Sequence, residues 1–304
     1  MNQYILKDIK KKRKEFDTLC QSRHIPSAVL KYVTEHRDIP YLATGDPAHR
    51  LDVYRPTNQP GPLPVIINIH GGGLVMGSKE FNRHFCAILC KLGFVVFTPE
   101  YRLAPEVTVF DQLQDITYAM KFIDQYASEY GADKRAVYMV GDSGGALLAL
   151  YTAALHQNPK VAKAAGVTPS ALEIARIALI SGMFYTTRPD SIGLFLPPLL
   201  YGKEYRKHPF HAYMNPEHPQ VSLSLPPVFL TTSKHDNLRH YTMRYGKVLA
   251  KNYCHYILRD YGTNPSLTHA FPVFSPGLVQ SRQVIEEIAG FFRAKYDILF
   301  NLDF

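Results

Sequence analysis

With 304 residues the chain can bury about three quarters of its unfolded surface, so a core forms without disulfide or metal staples. A hydrophobic share of 46% and a charged share of 20% exclude a disordered chain. Lysine and arginine exceed aspartate and glutamate by 34 − 26 = 8, and part of that excess is the run Lys10, Lys11, Lys12, Arg13 and Lys14.

The first twenty residues hold no seven-residue apolar core and no small-residue cleavage site, so no signal peptide is expected. No run of about 18 apolar residues occurs, so no membrane span is expected. Glu15, Phe16, Asp17 and Leu19 follow the basic run, which therefore reads as a solvated amphipathic surface helix and not as a nucleic-acid arm. Residues 1 to about 45 are charged and helix-like, with no clear strand. The four cysteines, Cys20, Cys86, Cys90 and Cys254, are too scattered for a disulfide scaffold. Cys86 and Cys90, at helical i,i+4 spacing, read as buried thiols and not as a metal site. Together these features point to a soluble protein of a reducing cytoplasm.

Short β-branched runs then alternate with amphipathic helices. Strands are predicted at 64–70, 94–101, 136–141, 177–182, 228–233 and 255–261. Helices are predicted at 82–92, 112–130, 146–156, 238–252 and 282–296, the second with Leu113, Ile116, Ala119, Met120, Ile123 and Ala127 at helical spacing. Residues 185–226 are rich in Pro, Tyr, Phe and Leu and have little regular period. Such alternation implies an α/β fold with a mostly parallel central sheet flanked by helices. Sites in such sheets lie beyond the carboxyl ends of the strands.

Two motifs fall there. Gly141-Asp142-Ser143-Gly144-Gly145 lies between a strand and a helix, the context of a nucleophile elbow. A serine held in that sharp turn projects its hydroxyl from the top of the sheet, beside the free N–H groups of a helix start. The same pentapeptide surrounds the serine of chymotrypsin-like proteases, but those are all-β and carry a histidine motif that is missing here. The second motif, His70-Gly71-Gly72-Gly73, follows a strand about 70 residues earlier. Three glycines can turn main-chain N–H groups into a cavity with no side chain in the way. A phosphate-cradling loop is excluded, since no Lys-Ser/Thr and no G-x-G-x-x-G spacing follows.

These motifs, with Tyr101-Arg102-Leu103-Ala104-Pro105-Glu106 between them, resemble the hormone-sensitive-lipase-like branch of the α/β-hydrolase esterases, whose usual forms are HGGG, YRLAPE and GDSAGG in this order. The resemblance runs from about residue 50 to residue 295. It departs at Gly144, where the family commonly has alanine, and at residues 107–110, which replace the usual H-P-F-P-A. Asp115 falls where the family has a structural aspartate. The resemblance implies an α/β-hydrolase domain over 46–304, a helical cap segment over 1–45 and a cap insertion at about 185–215.

In this fold the acid and then the histidine follow the serine. Asp236, in Asp236-Asn237-Leu238-Arg239, resembles the family's D-x-L-R and is expected as the acid, with Asp260 as runner-up because it too ends a strand. His269, in Thr268-His269-Ala270-Phe271, resembles the family's H-x-F and is expected as the base. His255 and His240 fall inside a strand and a helix, and His235 precedes the acid. The implied chemistry is attack by Ser143, proton transfer by His269, support from Asp236, and an oxyanion held by the N–H groups of Gly71, Gly72 and Gly144. His70 is expected to anchor its loop. No metal or organic cofactor is called for. The implied partner is a small ester with a short acyl chain or an aryl group, hydrolysed by a serine carboxylesterase. An amidase, formamidase or peptidase uses the same triad and stays open, as does a homodimer.

Overall fold

The computed structural model describes residues 3–294. Eight strands form one sheet in the order β1-β2-β4-β3-β5-β6-β7-β8. These are β1 Val33–Pro40, β2 Arg50–Pro56, β3 Leu63–Ile69, β4 Val95–Pro99, β5 Ala132–Asp142, β6 Arg176–Ile180, β7 Val228–Ser233 and β8 Tyr256–Tyr261. From β4 to β8 all neighbours pair in parallel, while β1 and β2 pair antiparallel at one edge.

The pleat divides each central strand between two cores. Val65, Ile67 and Ile69 of β3 face one core and Ile66 the other. Likewise Ile177 and Leu179 of β6 oppose Ala178 and Ile180. Burial on both faces explains why these strands read as continuous apolar runs and not as alternating ones. One face is covered by the helices Val109–Tyr126, Gly144–Gln157 and Arg239–Lys251, the other by Arg83–Lys91 and Val279–Arg293. Cys86 and Cys90 are buried thiols of the second core, and burial raises both above the ordinary thiol value. The helix Gly144–Gln157 is buried on every side over residues 144–155. Its even apolarity marks a central helix rather than a surface one.

The N-terminal expectation needs correction. Residues 3–22 are helical, as Gln3–Ser22, but 33–40 form β1 within the sheet, so the sheet begins well before residue 46. The strand is hard to see because it is an edge. Its sequence Val-Thr-Glu-His-Arg-Asp-Ile-Pro is charged, and its register shifts between His36 and Ile39, where Asp38 takes a positive φ of 56°. Charge and a bulge protect an edge from pairing with another chain. The irregular stretch after β6 contains helical turns of three to five residues, such as Pro197–Leu200, Pro209–Tyr213 and Pro219–Ser222. The last helix ends at Arg293, and the predicted continuation to 296 lies outside the described residues. No helix of the described residues is long and apolar enough to cross a membrane.

Leu147 is fully buried in the central helix that begins directly after Ser143. Leu147→Ala should lower unfolding stability by about 2–5 kcal/mol. Urea denaturation should register this as a lower midpoint with an unchanged slope.

Candidate active site

Strand β5 runs directly into Ser143, which stands at φ 51° and ψ −115° before the helix begins at Gly144. Two main-chain bonds to the end of β6 fix this strained turn: Ser143 N donates to Ile180 O at 2.9 Å, and Met183 N donates to Ser143 O at 3.0 Å. Side chains are excluded on either side. A Cβ on Gly141 would run into Gly145 O, and one on Gly145 into Ile69 O.

Ser143 Oγ lies 2.9 Å from His269 Nε2, and His269 Nδ1 lies 2.7 Å from Asp236 Oδ1. An ionised carboxylate only accepts, so Nδ1 carries the proton and Nε2 is left to accept from the serine hydroxyl. Asp236 is almost fully buried, yet it also accepts from Leu238 N at 2.9 Å and from Thr232 Oγ1 at 2.8 Å. Burial pushes its carboxyl up, but the hydrogen bond and charge of His269 outweigh that and hold it below the usual carboxylate value. The loop carrying His269 is pinned at both ends. Ala270 N donates to Ser181 Oγ at 3.0 Å, and Ser233 Oγ donates to Leu267 O.

The other candidates lie elsewhere. Asp260 is tied to Arg239 by two bonds of 2.9 and 2.6 Å on the outer face of β8. His240 lies on the helix Arg239–Lys251, and exposed His235 contacts Thr263 O at 3.3 Å. Asp115 is fully buried and bonded to Arg102 through Nε, Nη2 and the main-chain N, as a structural aspartate should be.

The glycine loop requires one correction. Gly71 was expected to offer its N–H to an oxyanion, but that N–H donates to Asp142 Oδ1 at 3.1 Å. The N–H groups of Gly72 and Gly73 have no acceptor among the described residues, and Gly144 N begins a helix. Leu74 N likewise has no acceptor among the described residues, so the glycine loop and the helix start at Gly144 offer several free donors. Gly73 and Gly144 approach backbone to backbone: a Cβ on Gly144 would lie 3.0 Å from Leu74 N and 3.1 Å from Gly73 N. The glycine that replaces the family's usual alanine therefore matches a closely drawn loop.

Asp142, the second residue of the elbow, is the tie that sequence reasoning missed. It is buried and accepts from Gly71 N and from Asn82 Nδ2 at 2.8 Å through one oxygen. Burial raises its pKa against the pull of Asn82. Its position inside the motif was the available signal, since a carboxylate at the buried end of a strand needs donors nearby. His70 anchors the loop as expected. Its Nε2 meets Glu100 Oε1 at 2.7 Å, its Nδ1 meets Gly71 O at 2.8 Å, and its ring stacks on Tyr101 at 4.3 Å. Burial opposes its charge, but Glu100 prevails and raises its pKa.

The profile of a protein family described as the alpha/beta hydrolase fold matches residues 66–272. A probable isoprenylcysteine α-carbonyl methylesterase of Arabidopsis thaliana is 32% identical over 112 residues, which are 36% of this chain and 24% of that protein. The chain thus spans about a quarter of the length of this relative. An acetyl esterase of Salmonella dublin is 23% identical over 261 residues, covering 83% of this chain and 77% of that protein. Among solved structures, esterase B of Lactobacillus rhamnosis, inhibited with a tributyrin phosphonate, superposes with a TM-score of 0.88 over 98% of this chain and 96% of that one. At 23% identity this likeness speaks for the fold.

Two adjacent glycines should respond differently to alanine. Gly72 stands at φ 112°, and a Cβ there would collide with Met76 O; Gly73 stands at φ 63° with no neighbour closer than 3.9 Å. Gly73→Ala should cost about 1–2 kcal/mol, the price of a left-handed alanine. Gly72→Ala should cost more than about 3 kcal/mol, since strain and collision add. Equilibrium urea unfolding of the two variants gives the comparison.

Proposed function

This chain belongs to the α/β-hydrolase fold family, and on that premise we propose that it is a serine carboxylesterase acting on short-chain acyl or aryl esters. The observation that carries the reading is the unbroken hydrogen-bond path from Asp236 through His269 to Ser143, which is followed directly by the helix start at Gly144. The esterase names of the relatives agree with it.

In this mechanism Ser143 Oγ attacks the ester carbonyl while His269 Nε2 takes its proton. Asp236 stabilises the imidazolium and keeps the correct tautomer. The carbonyl oxygen becomes an oxyanion that accepts from Gly72, Gly73 and Gly144, each donor being worth roughly 3 kcal/mol. Collapse of the tetrahedral intermediate expels the alcohol with the proton from His269. Water activated by the same histidine then releases the acid from Ser143.

The covering elements of this reading are the helix Gln3–Ser22 and the irregular segment at 185–215. Leu199, which is buried, borders a cleft of ≈ 420 Å³ with Pro105, Val107 and Pro198, whereas Phe195 is 64% exposed. That cleft is lined by none of Ser143, Asp236 and His269, so it is by burial alone that Leu199, of these two side chains, is assigned the limit on acyl length. Leu199→Ala should move the kcat/KM profile over acetyl, butyryl and octanoyl esters towards longer chains, by about 1–3 kcal/mol per added methylene at most. Phe195→Ala should leave the profile as it is.

An organophosphonate should label Ser143, and Ser143→Ala should abolish turnover of a short-chain aryl ester. Labelling at another serine would overturn the assignment. Asp236→Asn should lose about 10⁴-fold in kcat, the cost of the wrong tautomer in the comparable triad. Asp260→Asn should stay near wild type. Because Asp236 is held below its ordinary value, its ionisation stabilises the fold fully above the unfolded carboxylate pKa and is lost as pH falls through the lowered value. Wild type should accordingly lose more stability than Asp236→Asn on acidification, as thermal melts across that window would reveal.

A further inference from the structure

The basic run of the first helix does not act as one solvated cluster. Lys10, Lys11, Lys12 and Lys14 are exposed, but Arg13 turns inward. Its guanidinium donates from Nε to Val75 O at 2.6 Å and from Nη2 to Ala104 O at 2.7 Å. Nη1 and Nη2 also grip Glu106 at 2.9 and 2.7 Å. One side chain thus joins three places 62 to 93 residues away in sequence.

Two of the three are main-chain carbonyls of the loops that surround the donors. Val75 N and Met76 N both donate back to Gly72 O, at 3.3 and 3.0 Å, so residues 72–76 form one tight turn. Ala104 N donates to Leu74 O at 2.9 Å, and Gln112 Nε2 reaches the same oxygen at 2.9 Å. The peptide plane shared by Gly72 O and Gly73 N is therefore fixed from behind by a short chain of bonds whose outer end is Arg13, while the plane carrying Gly72 N is held by the contact of His70 Nδ1 with Gly71 O. The helix is also seated independently of this residue. Phe16 packs on Phe81 with ring centroids 4.7 Å apart, Ile9 is buried, and Arg23 lies 4.0 Å over the Phe81 ring while donating to Val273 O at 2.8 Å.

We propose that Arg13 is a positioning residue for the reaction: by holding Val75 O and Ala104 O it aims the Gly73 N–H group at the developing oxyanion, and so makes turnover depend on the first helix. The inference rests on the serine-esterase reading above. A planar fork reaches two carbonyls and a carboxylate at once, whereas the single ammonium of a lysine does not. The function of the residue is thus geometric, and charge alone does not replace it.

The test uses the full chain and the variants Arg13→Lys and Arg13→Gln. Three quantities are measured: kcat and KM for a short-chain aryl ester, the Ki of a trifluoromethyl ketone, whose tetrahedral adduct needs the oxyanion donors, and the thermal midpoint. Misplaced donors predict a fall in kcat of about 10- to 100-fold. The ketone Ki should weaken in parallel, with KM nearly unchanged, since only the transition state loses an interaction. Arg13→Lys should keep the wild-type midpoint and still show most of the fall, which keeps the test valid if Arg13→Gln folds poorly. A rise in KM with kcat and ketone Ki unchanged would mean that Arg13 only seats the helix, and unchanged kinetics throughout would mean that it does neither; each result overturns the proposal. Phosphonate labelling of the wild type tests the underlying reading separately: a label away from Ser143 defeats the esterase mechanism, whereas a label on Ser143 with normal Arg13 variants defeats only this inference.

Discussion

One carboxylate oxygen holds two main-chain turns together. Asp142 Oδ1 accepts the Gly71 N–H across 71 residues of sequence, and Asn82 steadies it from the side. Without that bond the glycine loop and the serine turn would face each other with unpaired polar groups in a buried seam, at about 1–3 kcal/mol for each group left unsatisfied. With it, Gly71 is spent on structure, and the next two glycines are left with their donors free. The division of labour among three identical residues is thus set by a side chain of the neighbouring strand.

The remaining order builds outward from that seam. His70 lies under the glycine loop with its ring paired to Glu100, and Tyr101 stacks on it while its hydroxyl donates to His70 O at 2.8 Å. Glu100 in turn accepts from Lys79 N at 3.0 Å, which ties the far end of the loop to the same carboxylate. On the other side Ser181, Thr232 and Ser233, all at strand ends, supply the hydroxyls that hold the histidine loop and the acid. The strands thus set the height of each group, and short polar side chains at their ends set its direction. Such preorganisation keeps the donors from having to reorient as charge develops.

What was legible in the sequence follows from range. Ser143, Asp236 and His269 sit in short segments whose meaning is local, a turn after an apolar strand, and the structure brings all three into one hydrogen-bonded line. The central strands β3 to β7 were readable because burial on both faces leaves an apolar run. Gly71 was misread because a triplet of glycines announces exposed N–H groups but not which of them a distant carboxylate takes. Strand β1 was missed because an edge strand is written in charges, and Arg13 because a residue in a basic run looks like its neighbours until its partners 62 to 93 positions away are known. For Gly71 and Arg13 the deciding contact was long in sequence and polar, the kind that no periodicity encodes.

The strand order has a consequence for how the chain is made. Strand β2 does not pair with β3, which follows it, but with β4, and β1 pairs only with β2. Residues 33–56 therefore have no sheet to join until residues 95–99 have left the ribosome. The helix before them is in the same position, because Phe81, Ala104, Glu106 and Val273 all come later. These residues are thus synthesised before the partners they dock against. During that interval the lysines of the helix are useful in another sense. A helix that must wait with an uncovered apolar stripe is kept from self-association by the charge on its opposite face, and the same charges are left outside when it finally closes.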